Sequence, residues 1–163
     1  MGNRNDSERG AALVEMAFVA PLLLLLLFGI IEFSRLLYTH TAVWNVAREG
    51  ARYATTVGDT DGDDLPNYLD CDGIIDAALA RAIGVDIDDD DIDVVLESDG
   101  TNADCDPLSP DPDPSTVDID NGATVTVTAD IDFDGIAPFM GFLDNMNIHS
   151  EQSRSIFKGV VGS

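Results

Sequence analysis

Hydrophobic positions along the chain fall into three regimes. From Ala11 to Ile31 (AALVEMAFVAPLLLLLLFGII) they are continuous, with Glu15 the single charge in the stretch. At ~1.5 Å per helical residue these residues span roughly 31 Å, close to the ~30 Å hydrocarbon core of a bilayer and longer than the ~7–15-residue apolar region of a secretory signal. Six consecutive leucines put apolar surface on every side. A buried core helix is the alternative to a membrane span, but no other stretch is apolar enough to cover such a surface. Pro21 removes a backbone donor midway and is expected to kink or loosen the helix.

Beyond Ile31 the pattern becomes periodic. Phe33, Leu36, Leu37, His40, Val43, Trp44, Ala47, Ala51 and Ala54 recur at spacings of three and four, which predicts one apolar stripe with His40 as a packing residue at its edge. Asn45, Arg48, Glu49 and Arg52 share the opposite face, where Glu49 and Arg52 can pair at i,i+3. Tyr38 and Trp44 fall where amphipathic rings gather at a membrane interface. Ala47, Gly50, Ala51 and Ala54, with Ala42, make this part narrow enough for another helix or sheet to approach closely. Thr55-Thr56-Val57-Gly58 then ends a helix of roughly 69 Å counted from Ala11.

The third regime mixes short elements with long polar runs. Asp72 to Gly84 reads as a short amphipathic helix with Asp72 as N-cap, Gly84 as stop, and Ile75, Ala78, Leu79 and Ala82 buried. Ile92–Glu97 is an expected strand, and residues 99–122, which hold four of the seven prolines, read as a loop. In Ala123–Phe133, Val125, Val127, Ala129, Ile131 and Phe133 alternate onto one face, as in a half-buried strand. Gly135–Leu143 reads as an apolar turn or short helix, and Met146–Val161 supplies the last strand, with Ile148 and Ile156 inward. The expected fold is α+β: a long N-terminal helix followed by a small domain with an antiparallel sheet and one short helix. Its divisions are 1–10, 11–31, 32–57 and 58–163.

Charge sharpens this picture. Residues 1–57 hold five arginines and five acids, so the entire net charge of −23 lies in residues 58–163. Aspartate supplies 25 of the 31 acids. This balance excludes nucleic acid as a partner, because phosphate binding needs positive charge. It suits high-salt solvation, divalent cations, or repulsion that limits association. One acidic run has ligand spacing: in Asp59–Asp70 (DTDGDDLPNYLD) Asp59, Asp61, Asp63, Asn67 and Asp70 occupy places one, three, five, nine and twelve, with the Leu65 carbonyl at seven. EF-hand-type calcium loops need oxygens at that spacing, and the run resembles bacterial thrombospondin type 3-like calcium repeats. Against calcium, Asp64 stands where the turn prefers Gly and Asp70 where Glu reaches further, and a solvated acidic linker is the alternative. Cys71 and Cys105 are the two cysteines. In an oxidising compartment such a pair reads as a disulfide, with free thiols as the alternative; neither His40 nor His149 has spacing for a zinc site. No phosphate loop, nucleophile elbow or Ser/Cys–His pairing is present, so the chain is not expected to be an enzyme.

Gly10 followed by Ala11-Ala12-Leu13-Val14-Glu15 resembles the class III processing site of type IV prepilin-like proteins. The longer stretch from Gly10 to Ala54, with Pro21, Glu32 and the Ala-Arg-Glu-Gly-Ala-Arg box at 47–52, resembles the TadE-like proteins of tight-adherence (Flp) pilus systems. Gly122–Thr128 and Pro138–Arg154 add a looser likeness, whereas residues 57–121 lie outside it. The resemblance implies a minor pilin or pilus-assembly component, cleaved by a prepilin peptidase after Gly10. It also implies an anchored chain, N-terminus cytoplasmic and domain outside, acting by helix packing against other pilin-like subunits and the tight-adherence machinery. Glu15 would then have a role in assembly, where position alone permits simple snorkelling to the interface. The alternative function is an unprocessed single-span surface protein displaying a calcium-stabilised binding domain.

Overall fold

In the computed structural model of the chain, the residues described are 4–56, 58, 66–98, 101–105, 122–135 and 146–156. One helix, α1 (Arg4–Ala54, 51 residues), runs about 76 Å and continues through Pro21. It starts earlier than the apolar run because nothing in residues 4–10 breaks it. Its first part, through Ile31, is exposed almost throughout, and the most apolar window is not buried against the chain at all. Among the described residues α1 is the one helix long and apolar enough to cross a membrane.

From Glu32 onward α1 acquires a buried face made of Glu32, Val43, Val46, Ala47, Gly50, Ala51 and Ala54. The core-facing stripe is thus rotated from the one the 3/4 spacing suggested. Val46 takes part, whereas Phe33, Leu37, His40 and Trp44 are exposed. Two interleaved stripes fit the same spacings, and the small side chains decide between them. Packing against a sheet demands close approach, which alanine and glycine allow and Trp44 and Phe33 do not.

Two elements pack on that face. The short helix α2 (Cys71–Leu79) begins one residue earlier than expected and ends well before Gly84. Its N-cap is Asp70 rather than Asp72, because the Asp70 carboxylate accepts the Gly73 N–H at 2.7 Å. The sheet contains β1 (Ile92–Ser98), β2 (Thr101–Cys105), β3 (Thr124–Phe133) and β4 (Met146–Ser155) in the order β2-β1-β3-β4, antiparallel throughout. One sheet face buries Val94, Leu96, Val125, Val127, Ala129, Ile131, Phe133 and Ile148 with α1 and with Ile74, Ile75 and Ala78 of α2. The outer face is polar.

β2 corrects the reading of residues 99–122 as wholly loop. Ser98 pairs with Thr101, so only Asp99 and Gly100 stand between the strands, and Asp-Gly is the dipeptide that two-residue hairpins favour. The apolar segment expected at Gly135–Leu143 lies outside the described residues from Ile136 onward, and of the last strand expected over Met146–Val161, β4 ends at Ser155 while residues 157–161 lie outside the described residues.

Candidate functional site

The long helix carries most of the candidate residues, and the structure divides them by height. Gly10 is exposed within α1, and a β-carbon built there would meet nothing within 4 Å. Ala11 and Glu15 are exposed as well. The Gly10–Ala11 bond is therefore not shielded by the small domain. Glu15 lies only about 6 Å along the axis from Ala11, within snorkelling reach of a boundary at Gly10.

Where the apolar run ends, Glu32 turns inward and is buried. Arg35 meets its carboxylate at 3.1 Å and places its guanidinium 5.3 Å from the Phe133 ring centroid, a cation–π distance. This junction ties α1 to the end of β3 at the level where the domain begins. The i,i+3 spacing of Glu32 and Arg35 was a visible signal; the Phe133 contact was not, because it spans about a hundred residues.

Higher up, Ala47, Ala51 and Ala54 are fully buried. A β-carbon at Gly50 would stand 3.1 Å from Val127 Cγ1, 3.3 Å from Ala78 Cβ and 3.4 Å from the Ile74 carbonyl oxygen. The close approach these residues allow is made within the chain, by α2 and β3. The exposed stripe beside them, Phe33, Leu37 and Trp44, is what α1 leaves available to other molecules.

Of the candidate calcium ligands, Asp59, Asp61, Asp63 and Leu65 lie outside the described residues. Asn67 and Asp70 are buried and engaged elsewhere. The Asn67 amide donates to the Thr56 hydroxyl, and Asp70 accepts from the Tyr53 hydroxyl at 2.7 Å in addition to Gly73 N–H. Both tie the acidic segment's end to the top of α1. No group of three or more potential metal-ligating side chains occurs among the described residues. Directly after Asp70, Cys71 is bonded to Cys105 across 34 residues, joining the start of α2 to the end of edge strand β2.

On the face of α1 turned away from the sheet, an open groove of ≈ 490 Å³ runs between the helix and the turn after α2. Gly84, at φ +73°, reverses the chain there, and the Ile83 carbonyl accepts from the Tyr38 hydroxyl at 2.6 Å. Arg48, Arg52, Arg81 and Glu49 line the groove. Glu49 accepts from Arg52 (Nε at 3.0 Å) and lies 3.4 Å from Arg81. Hydrogen bonding from Arg52, above all, holds the Glu49 carboxyl below its ordinary value, against a smaller opposing effect of burial. Arg48 stacks on Trp44, its guanidinium carbon 5.0 Å from the ring centroid.

Residues 10–52 match the family described as TadE-like protein. The matched segment starts at the glycine before the apolar run and ends at Arg52 in the groove, so it is the helix and not the acidic domain that carries the likeness. No curated protein and no solved structure matches the chain.

Proposed function

We propose that this chain is a membrane-anchored, TadE-like minor pilin or assembly component of a tight-adherence pilus, with a structural rather than catalytic role. The observation that carries this reading is the construction of α1. Its matched segment joins an apolar, uncovered stretch of bilayer length to a stretch bound into a folded domain. An uncovered helix of that kind needs lipid or other helices around it. Residues 1–10 are a cytoplasmic leader removed by a prepilin peptidase, and residues 11–31 span the membrane. The domain of residues 58–163 stands outside, where the Cys71–Cys105 bond is stable.

Assembly proceeds by lateral packing of the exposed half of α1 against other pilin-like helices. In such an array the Glu15 carboxylate meets the new amino group of a neighbouring subunit, which offsets the cost of burying either charge alone. Calcium held by Asp59, Asp61 and Asp63 with the Leu65 carbonyl would stabilise the acidic segment that follows α1 in the sequence.

Glu15→Ala tests the packing role. Membrane insertion is expected to be unchanged or improved, since a carboxylate leaves the hydrocarbon, while pilus production falls sharply. Normal pilus production by Glu15→Ala would reduce this residue to a snorkelling charge and remove the assembly step from the reading.

A further inference from the structure

The chain is electrically two-faced. Among the described residues, three arginines and one glutamate line the α1 groove, a net positive surface on a protein of charge −23. All three cations are exposed, with more than half of the side-chain surface open for Arg52 and Arg81. The outer sheet face lies on the opposite side of the molecule. It presents Asp93, Glu97, Asp104, Asp130, Asp132 and Glu151, with His149 paired to Asp130 at 2.8 Å. Thr126, Thr128 and Ser153 fill the positions between them.

We infer that the groove on α1 is the docking surface for the acidic outer sheet face of a second copy of this chain. Charge complementarity selects the acidic partner, and anchoring selects the second copy. β3 lies along α1 from Arg35, beside Phe133, to Gly50, beside Val127, and β4 lies beside Leu36 and His40, so copies standing side by side in one membrane hold groove and sheet face at a common height. An anionic lipid surface is the poorer occupant. Arg48 lies 17 residues beyond Ile31, about 25 Å along the helix, and a membrane's surface field fades within about 8–10 Å at ordinary salt. Because the two faces are different and lie on opposite sides, the contact cannot close as a twofold dimer. It is a head-to-tail contact, which builds a ring or an open array of more than two copies. This inference extends the assembly reading but needs neither cleavage after Gly10 nor any other pilus component.

The test uses the full chain in zwitterionic liposomes, a photo-crosslinking residue in place of Asn45, and an isotope-labelled mixture to identify contacts between copies. Crosslinks are expected from position 45 to the outward residues of β1, β3 and β4 of a second copy. Their yield should fall about tenfold between 0.1 and 1 M salt, as the screening length shrinks from about 10 to 3 Å. Arg48→Glu with Arg81→Glu, which leaves the Glu49–Arg52 pair intact, should lose self-association, as should Asp93→Lys with Asp130→Lys. Mixing the two reversed chains should restore it. Absence of crosslinks between copies, a yield indifferent to salt, or crosslinks from position 45 to α1 of the second copy would each overturn the inference. So would failure of the mixture to recover while both chains keep the Cys71–Cys105 bond and a normal melting temperature. Should a reversed chain not fold, the salt response and crosslink map of the otherwise unaltered chain decide.

Discussion

Asp70 shows how far a residue type alone specifies a role. As the twelfth residue of an acidic run it has the place of a calcium-closing carboxylate, yet it is buried, caps α2 and receives the Tyr53 hydroxyl. Its tight setting explains Gly73: a β-carbon there would lie 2.6 Å from the Tyr53 hydroxyl oxygen and would collide with the Asp70 carboxylate. Gly73→Ala is therefore expected to destabilise the domain, although alanine is the better helix former by about 1 kcal/mol. Asp70→Ala should cost about 0.5–2 kcal/mol as a lost cap, equally in chelator and in millimolar calcium. A loss confined to calcium-containing buffer would instead make Asp70 a ligand. Glu49 offers a pH test. Its carboxyl titrates below the ordinary value, so its contribution to stability is fully present above about pH 4.3 and is lost as pH falls through the lower folded value. The melting-temperature difference between the native chain and Glu49→Gln should be constant from about pH 5.5 to 8 and close under more acid conditions. A difference that grows on acidification would contradict the pairing.

Among the elements, the helix and the alternating strand β3 were legible because burial imposes a period on sequence. Val125 through Phe133 alternate inward as read. β2 left little trace in the sequence because Thr101-Asn102-Ala103-Asp104-Cys105 turns only two small residues, Ala103 and Cys105, toward the core. As an edge strand it draws on β1 for its hydrogen bonds and on Cys71 for its anchor. The face of α1 was legible in part: Val43, Ala47, Ala51 and Ala54 are buried as the spacing predicts, whereas close packing leaves Phe33, Leu37, His40 and Trp44 outside. Gly50 tests this. Alanine there should be nearly neutral, its gain in helix propensity offset by contacts at 3.1–3.4 Å, whereas Gly50→Leu should lower stability by about 1–3 kcal/mol or more through overpacking. Equal tolerance of both would mean that α1 and β3 are not in close contact. Replacing Cys71 and Cys105 together by serine should cost about 3–4 kcal/mol, from the chain entropy restored to a 34-residue loop. Thermal melts of the detergent-solubilised chain read all of these changes.

At the scale of the whole molecule, one helix does two jobs that conflict in a single environment. Its lower half is apolar on all sides and its upper half is embedded in an acidic domain, and under the proposed function the membrane boundary lies between them at about Glu32. The apolar run and the charge break were plain in the sequence. The cationic groove was not, because Arg81 joins Arg48 and Arg52 only through the turn at Gly84. The leader, the span and the exported domain form one functional reading only if the chain is delivered to the membrane as a prepilin. The intact mass of the chain isolated from its native membranes, with the prepilin peptidase present, measures this directly. The expected mass is that of residues 11–163, about 1 kDa below the 17.4 kDa of the whole chain, and Gly10→Leu should restore the larger species. A native chain still carrying residues 1–10 would contradict processing and leave an unprocessed single-span surface protein.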